Sequence, residues 1–128
     1  MSIRIVFDKN QFSATIEIPL AKPLPDYDLL QLEQPTPRDV DAVLVSQGFR
    51  DLVDDARGVI MELLNGTSLE LAQFTGAICP GDDETYRPGL WIVLRDKNSP
   101  QGRELSSDSR ARISATAEEL VKRLQLAE

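Results

Sequence analysis

The chain contains no histidine, and Cys79 is its only cysteine. Histidine is the commonest general base of enzymes and a frequent metal ligand, so its absence excludes imidazole metal sites and Ser-His or Cys-His nucleophile pairs. A single cysteine excludes an internal disulfide, whereas small secreted domains usually carry several cysteines. Because nothing in the sequence would activate the thiol, we interpret Cys79 as a small buried hydrophobic residue of a cytoplasmic protein.

Three further features are missing. No apolar run reaches the roughly 18 residues that a membrane helix needs, and the N-terminus becomes polar at Asp8 too soon for a signal peptide. No glycine-rich phosphate loop ending in Gly-Lys-Ser or Gly-Lys-Thr occurs. We therefore expect a soluble protein without a membrane segment and without a cofactor.

What the chain does contain fits one globular domain, residues 1–128, with 41% hydrophobic and 27% charged residues. Its 14 basic and 21 acidic residues give a net charge of -7. Such a charge repels nucleic acid and anionic lipid and attracts a partner protein with a basic surface. Solubility alone would also explain this charge, and a homo-oligomer is compatible with the sequence.

Apolar residues alternate with polar ones at residues 3–7 and 12–18, on either side of a short polar break. This period of two predicts an antiparallel hairpin with one buried face. A third short strand is predicted at residues 29–32, before Pro35. Residues 90–94 are continuously apolar, which predicts a central strand buried on both faces, with Trp91 in the core.

Helical patterns occupy much of the rest. Thr36 and Pro37 are typical of a helix start, and Gly48 would end that helix. Residues 49–64 follow a helical apolar period without interruption, and residues 113–124 place apolar side chains on one side of a final helix. Residues 67–76 begin with a capping-box pattern, which favours a short helix, although a strand also fits the alternation there. These elements predict an α+β fold, a small antiparallel or mixed sheet of about four strands with helices packed on one face.

The strongest candidate site is the acidic loop between Pro80 and Gly89. Three interpretations fit it: a solvated turn, a contact loop for a basic partner, or a carboxylate site for a divalent metal ion. In the partner interpretation tyrosine is the anchor, since tyrosine is enriched at binding hot spots. The spacing lacks the pattern of a calcium loop, so we assign no metal ligands and no catalytic residues. The predicted partner-binding residues are Asp82, Asp83, Glu84, Tyr86 and Arg87.

Residues 16–40 resemble the opening of some phage tail assembly chaperones, with a strand, a loop and an entry into helices. Leu32, Pro35, Thr36 and Asp39 carry the resemblance. It implies a small cytoplasmic protein that binds a tail protein during assembly and catalyses nothing.

Three functions therefore remain open. The first is a non-enzymatic assembly chaperone or adaptor, which the missing catalytic equipment favours. The second is an acidic inhibitor of a basic toxin or enzyme, such as an immunity protein or an antitoxin. The third is a metal-dependent enzyme that uses only carboxylates.

Overall fold

The computed structural model describes residues 3–8, 13–19, 45–80, 86–97 and 105–124. The strand predicted at residues 29–32 and the helix start at Thr36 lie outside these ranges. The described elements, in chain order, are β1 (Arg4–Asp8), β2 (Ser13–Pro19), α1 (Gln47–Leu64), β3 (Leu69–Pro80), β4 (Tyr86–Asp96) and α2 (Ser107–Leu124).

The four strands form one antiparallel sheet in the order β1-β2-β4-β3. The predicted hairpin is confirmed, since β1 pairs with β2 in a register that places Ile5 opposite Ile16. The α+β prediction is confirmed as well. As predicted, β4 is a central strand, flanked by β2 and β3.

One face of the sheet, which we call the inner face, is packed against the helices. Side chains of a strand alternate between the two faces, and alternate residues from 14 to 18 in β2 and from 90 to 94 in β4 are completely buried. These residues share one hydrophobic core with residues of both helices. The inner-face residues with 0% exposure are Ala14, Ile16, Ile18, Leu90, Ile92 and Leu94.

Helix α1 begins two residues before the predicted apolar pattern, at Gln47. The hydroxyl of Ser46 accepts a hydrogen bond from the backbone N–H of Phe49 at 3.3 Å and so caps the helix. Gly48 therefore lies in the first turn of α1, and the prediction that it ends a helix is wrong. The helix buries Phe49, Ala56, Ile60 and Leu64.

The prediction of a helix over residues 67–76 is wrong, because this segment opens strand β3. The capping hydroxyl acts in the turn instead: Thr67 Oγ1 donates to the carbonyl of Leu64 at 2.7 Å and accepts from the N–H of Leu69 at 3.2 Å. Gly66 supplies the left-handed backbone of this turn, with φ of 76°. Leu69 then pairs with Asp96 of β4 and is almost completely buried. Strand pairing and burial thus outweigh the capping-box pattern that favours a helix.

Helix α2 is fixed to the end of β4 by hydroxyl groups. Ser106 Oγ accepts from the N–H of Ser109 at 3.1 Å, which caps the helix. The hydroxyl of Ser109, itself 3% exposed, donates to Asp96 Oδ2. The inward side of α2 consists of Ile113, Ala117, Leu120 and Val121.

Candidate functional site

The second face of the sheet, which we call the outer face, is turned away from both helices. The prediction that β4 is buried on both faces is wrong, because Trp91 and Val93 are only half-buried. Strand register places the outer-face side chains of the four strands in rows across the sheet. One row is Arg4, Glu17, Trp91 and Thr75, and the next is Val6, Thr15, Val93 and Gln73.

The middle row of the outer face contains two valines and is partly reachable from solvent. Val6 on the edge strand β1 is 46% exposed. Thr15 lies opposite Val6, and Val93 lies opposite Thr15. Arg95 and Glu70, opposite each other on β4 and β3, are both exposed and bound this area at one end. The face therefore combines an aliphatic centre with a charged margin, as protein-binding surfaces commonly do.

Glu17 is the unusual residue of this face. Its side chain is only 14% exposed, and among the described residues its cationic neighbour is Arg4, whose Nη1 lies 3.9 Å from Oε2. That separation is too long for a hydrogen bond, and Oε2 is buried with no hydrogen-bond donor. Trp91 lies directly opposite Glu17 in the register. A buried acceptor without a donor is energetically costly, so this carboxylate can accept a further hydrogen bond at a net gain.

Cys79 lies on the outer face close to Gly89, near the end where Gly89 pairs with Pro19, and is 1% exposed. Its thiol donates a long hydrogen bond of 3.6 Å to the carbonyl of Leu90. Burial, and secondarily the negative charge of Glu17, raise the pKa of the Cys79 thiol to about 12. The thiol is therefore neutral and poorly nucleophilic near pH 7. The prediction that Cys79 is buried is confirmed.

The structure shortens the predicted acidic loop. Tyr86 pairs with Pro80, and Arg87 pairs with Cys79, so both predicted loop residues belong to strand β4. Their assignment to the loop is wrong, because the hairpin ladder continues to Pro80. The chain that connects β3 to β4 is residues 81–85. Asp82, Asp83 and Glu84 lie in this connection, outside the described residues, and their role stays a prediction.

A second surface lies between α1 and strand β3. Met61, Leu64, Leu69 and Leu71 line an open groove of about 540 Å³, with Glu62, Glu70 and Lys97 at its rim. The guanidinium of Arg57 stands over the ring of Phe74, 5.4 Å from its centroid, and covers the apolar surface farther along β3. Charges of both signs surround the groove, so its chemistry does not select one kind of partner.

No group of three histidine, cysteine, aspartate or glutamate side chains could hold a metal ion in the part of the chain that the structure describes. The buried hydroxyl of Ser109 is committed to Asp96 and to the cap of α2. Among the described residues the outer face is therefore the candidate binding surface, whereas the buried hydroxyl of Ser109 has a structural role.

Sequence reasoning missed the outer face because it placed Trp91 in the core. The signal was present, since Glu17 stands between Ile16 and Ile18 in a strand whose other face is apolar. Only the register of β2 against β4 shows that Glu17 and Trp91 are neighbours.

Neither described helix is long and apolar enough to cross a membrane. Comparisons with protein family models, with curated proteins and with solved structures find no match to this chain.

Proposed function

We propose that this protein is a non-enzymatic binding protein of the cytoplasm, and that its outer sheet face holds a partner protein with a basic surface. The observation that carries the proposal is the asymmetry of the sheet. Its inner face is sealed by two helices, whereas its outer face presents the half-buried Trp91 and Val93 beside the exposed Val6. Burial of aliphatic and aromatic side chains under a partner removes apolar surface from water, which favours binding.

An assembly chaperone or adaptor is the finer form of this proposal. A chaperone must cover an apolar segment of its client until assembly, and a sheet face with an aliphatic centre and a charged margin is suited to that task. The resemblance of residues 16–40 to phage tail assembly chaperones points in the same direction.

Inhibition of a basic toxin or enzyme is the second candidate. It is favoured by residues 81–85, which contain three carboxylates and no basic residue. Such a segment would attract a cationic active site over a long distance. In an inhibitor the carboxylates of residues 82–84 would be essential for affinity, whereas in a chaperone the outer face would be essential.

The test is capture of partners from the native host by the tagged chain, followed by mass spectrometry. Val6→Asp places a charge on the exposed outer face, and we expect it to abolish capture of the specific partner. Ala115→Asp is the matched control, because it adds the same charge at an exposed position of α2. Equal capture by both variants would exclude the outer face as the binding surface. Catalytic turnover that disappears in Asp82→Asn or Asp83→Asn would exclude the non-enzymatic function itself.

A further inference from the structure

We propose that the carboxylate of Glu17 and the indole of Trp91 form a receptor on the outer face for one arginine side chain of the partner protein. This inference rests on the proposed function and specifies the chemistry of the contact. Its basis is the pairing of a largely buried, under-bonded carboxylate with a half-buried aromatic ring, beside the exposed side chains of Arg4 and Val6.

The carboxylate supplies the first half of the receptor. Glu17 Oε2 has no hydrogen-bond donor, and the guanidinium of Arg4 remains 3.9 Å away with its side chain 64% exposed. Arg4 thus partly balances the charge of Glu17 but leaves the acceptor unsatisfied. A guanidinium from a partner could donate directly, and hydrogen bonds between charged groups are shorter and about twice as strong as neutral ones.

The aromatic ring supplies the second half. Trp91 lies directly across the strand pair from Glu17, and such neighbours have Cβ atoms about 5 Å apart. The planar guanidinium of arginine stacks on aromatic faces while its N–H groups bind a carboxylate. Lysine carries a more strongly hydrated point charge and lacks the planar fork, so arginine fits this pair of groups better.

The aliphatic centre of the face defines the surroundings of that arginine. Thr15, Val93 and Val6 form the adjacent row, so a segment with an apolar residue beside the arginine would cover both rows. The net charge of -7 favours the approach of such a cationic segment.

The probe for the test is the peptide acetyl-Val-Arg-Val-amide, and its control is the same peptide with citrulline, the uncharged isostere of arginine. Trp91 is the only tryptophan of the chain, so its single indole N–H signal in an NMR spectrum reports on the receptor. We expect the arginine peptide to shift this signal and to bind about tenfold more tightly than the citrulline peptide, as expected for one charge-assisted hydrogen bond.

Two variants should change the affinity in opposite directions. Glu17→Gln should weaken arginine binding about tenfold, whereas Arg4→Gln should strengthen it, because the internal competitor for Glu17 is removed. Glu118→Gln and Lys122→Gln are the matched controls, since they make the same charge changes at exposed positions of α2. Chemical-shift spectra of each variant without peptide establish that it is folded.

Equal binding of the arginine and citrulline peptides, or no binding of either, would overturn the receptor. So would a change in Glu17→Gln no larger than that in Glu118→Gln. If Val6→Asp abolishes partner capture while Glu17→Gln leaves it unchanged, the proposed function stands and the arginine receptor is wrong. If the arginine peptide binds as expected while Val6→Asp leaves partner capture unchanged, the receptor exists but the proposed function is wrong.

Discussion

Three glycines should respond differently to the same added methyl group, because their surroundings differ. A Cβ at Gly89 would collide with the carbonyl oxygen of Ile18 and would lie 2.9 Å from Pro19 Cα and 3.0 Å from Cys79 Sγ. Two of these atoms are backbone of the paired strand β2, which cannot rotate away. Overpacking typically costs 1–3 kcal/mol, so Gly89→Ala should lower the free energy of unfolding by about 3 kcal/mol.

At Gly76 the obstacle is a side chain. The new Cβ would overlap the ring of Phe49 and lie 3.1 Å from Val53 Cγ2. An open space of about 290 Å³ adjoins these residues, so the ring can move towards it. We therefore expect a smaller loss for Gly76→Ala, about 1–2 kcal/mol.

At Gly58 nothing lies within 4 Å of the new Cβ. The residue is exposed in the middle of α1, where alanine is favoured over glycine by about 0.5–1 kcal/mol. Gly58→Ala should therefore stabilise the protein. Urea unfolding followed by Trp91 fluorescence measures all three variants, provided that the slope with denaturant is unchanged. If Gly89→Ala were as stable as the parent, or if Gly58→Ala were the least stable variant, this account of strand packing would fail.

Five other predictions concern the core, the thiol and the charges. Ile60→Ala should lower the free energy of unfolding by about 2–5 kcal/mol, since Ile60 is 0% exposed. Met61→Ala should lower it by less than about 1 kcal/mol, because the Met61 side chain is 54% exposed. Urea unfolding compares the two variants. Cys79 should react with a thiol reagent rapidly in urea and very slowly in the native state, and equally fast labelling in both would contradict its burial. Because the chain has no histidine, melting temperature should be nearly constant from about pH 6 to 8. Because folding raises the pKa of the Cys79 thiol from 9.0 to about 12, the neutral thiol contributes stability that is complete below pH 9 and is lost as the pH rises towards 12, where the unfolded state ionises first. Cys79→Ala should therefore lessen the loss of stability at alkaline pH. Identical profiles of stability against pH for the parent and the variant would refute this prediction. Neutralising the carboxylates of residues 82–84 should slow association with the captured partner, most clearly at low salt, and an unchanged association rate would make this segment an ordinary solvated turn.

The amphipathic helix α1 was predictable because its signal is local and redundant. Many apolar positions repeat with the helical period, and the long helix was recognised even though Ser46, its cap, was not. The β1–β2 hairpin was predictable for the same reason, since alternation on both sides of a short break leaves little choice of register.

Residues 67–76 show where local signals fail. Thr67 and Glu70 satisfy a capping box, but the hydrogen bonds that decide the structure come from β4, which is distant in sequence. Within the described residues β3 has a single bulge, between Leu71 and Gln73, and this irregularity obscures the period of two that would have identified the strand. Strand propensity depends on such partners more than helix propensity does.

The candidate site was less predictable than the fold, because it depends on which residues face each other across strands. Part of the predicted acidic loop belongs to a strand, because the pairing of β3 with β4 extends to Pro80 and Tyr86. Glu17 and Trp91 are far apart in sequence, and neither belongs to a motif. A one-residue slip in the register of β2 would place Glu17 in the core instead, so the pairing of β2 with β4 creates the proposed receptor.

The distribution of charge suggests that attraction and specific contact reside in different parts of the chain. Residues 20–44 contain five acidic and two basic residues, and residues 81–85 contain three acidic residues and none that is basic. These two segments account for most of the net charge of -7, so they dominate the long-range attraction of a basic partner, which salt weakens. Glu17 is largely buried and acts only over the distance of a hydrogen bond. Neutralising the segments should therefore mainly lower the association rate, whereas Glu17→Gln should mainly raise the dissociation rate of the complex.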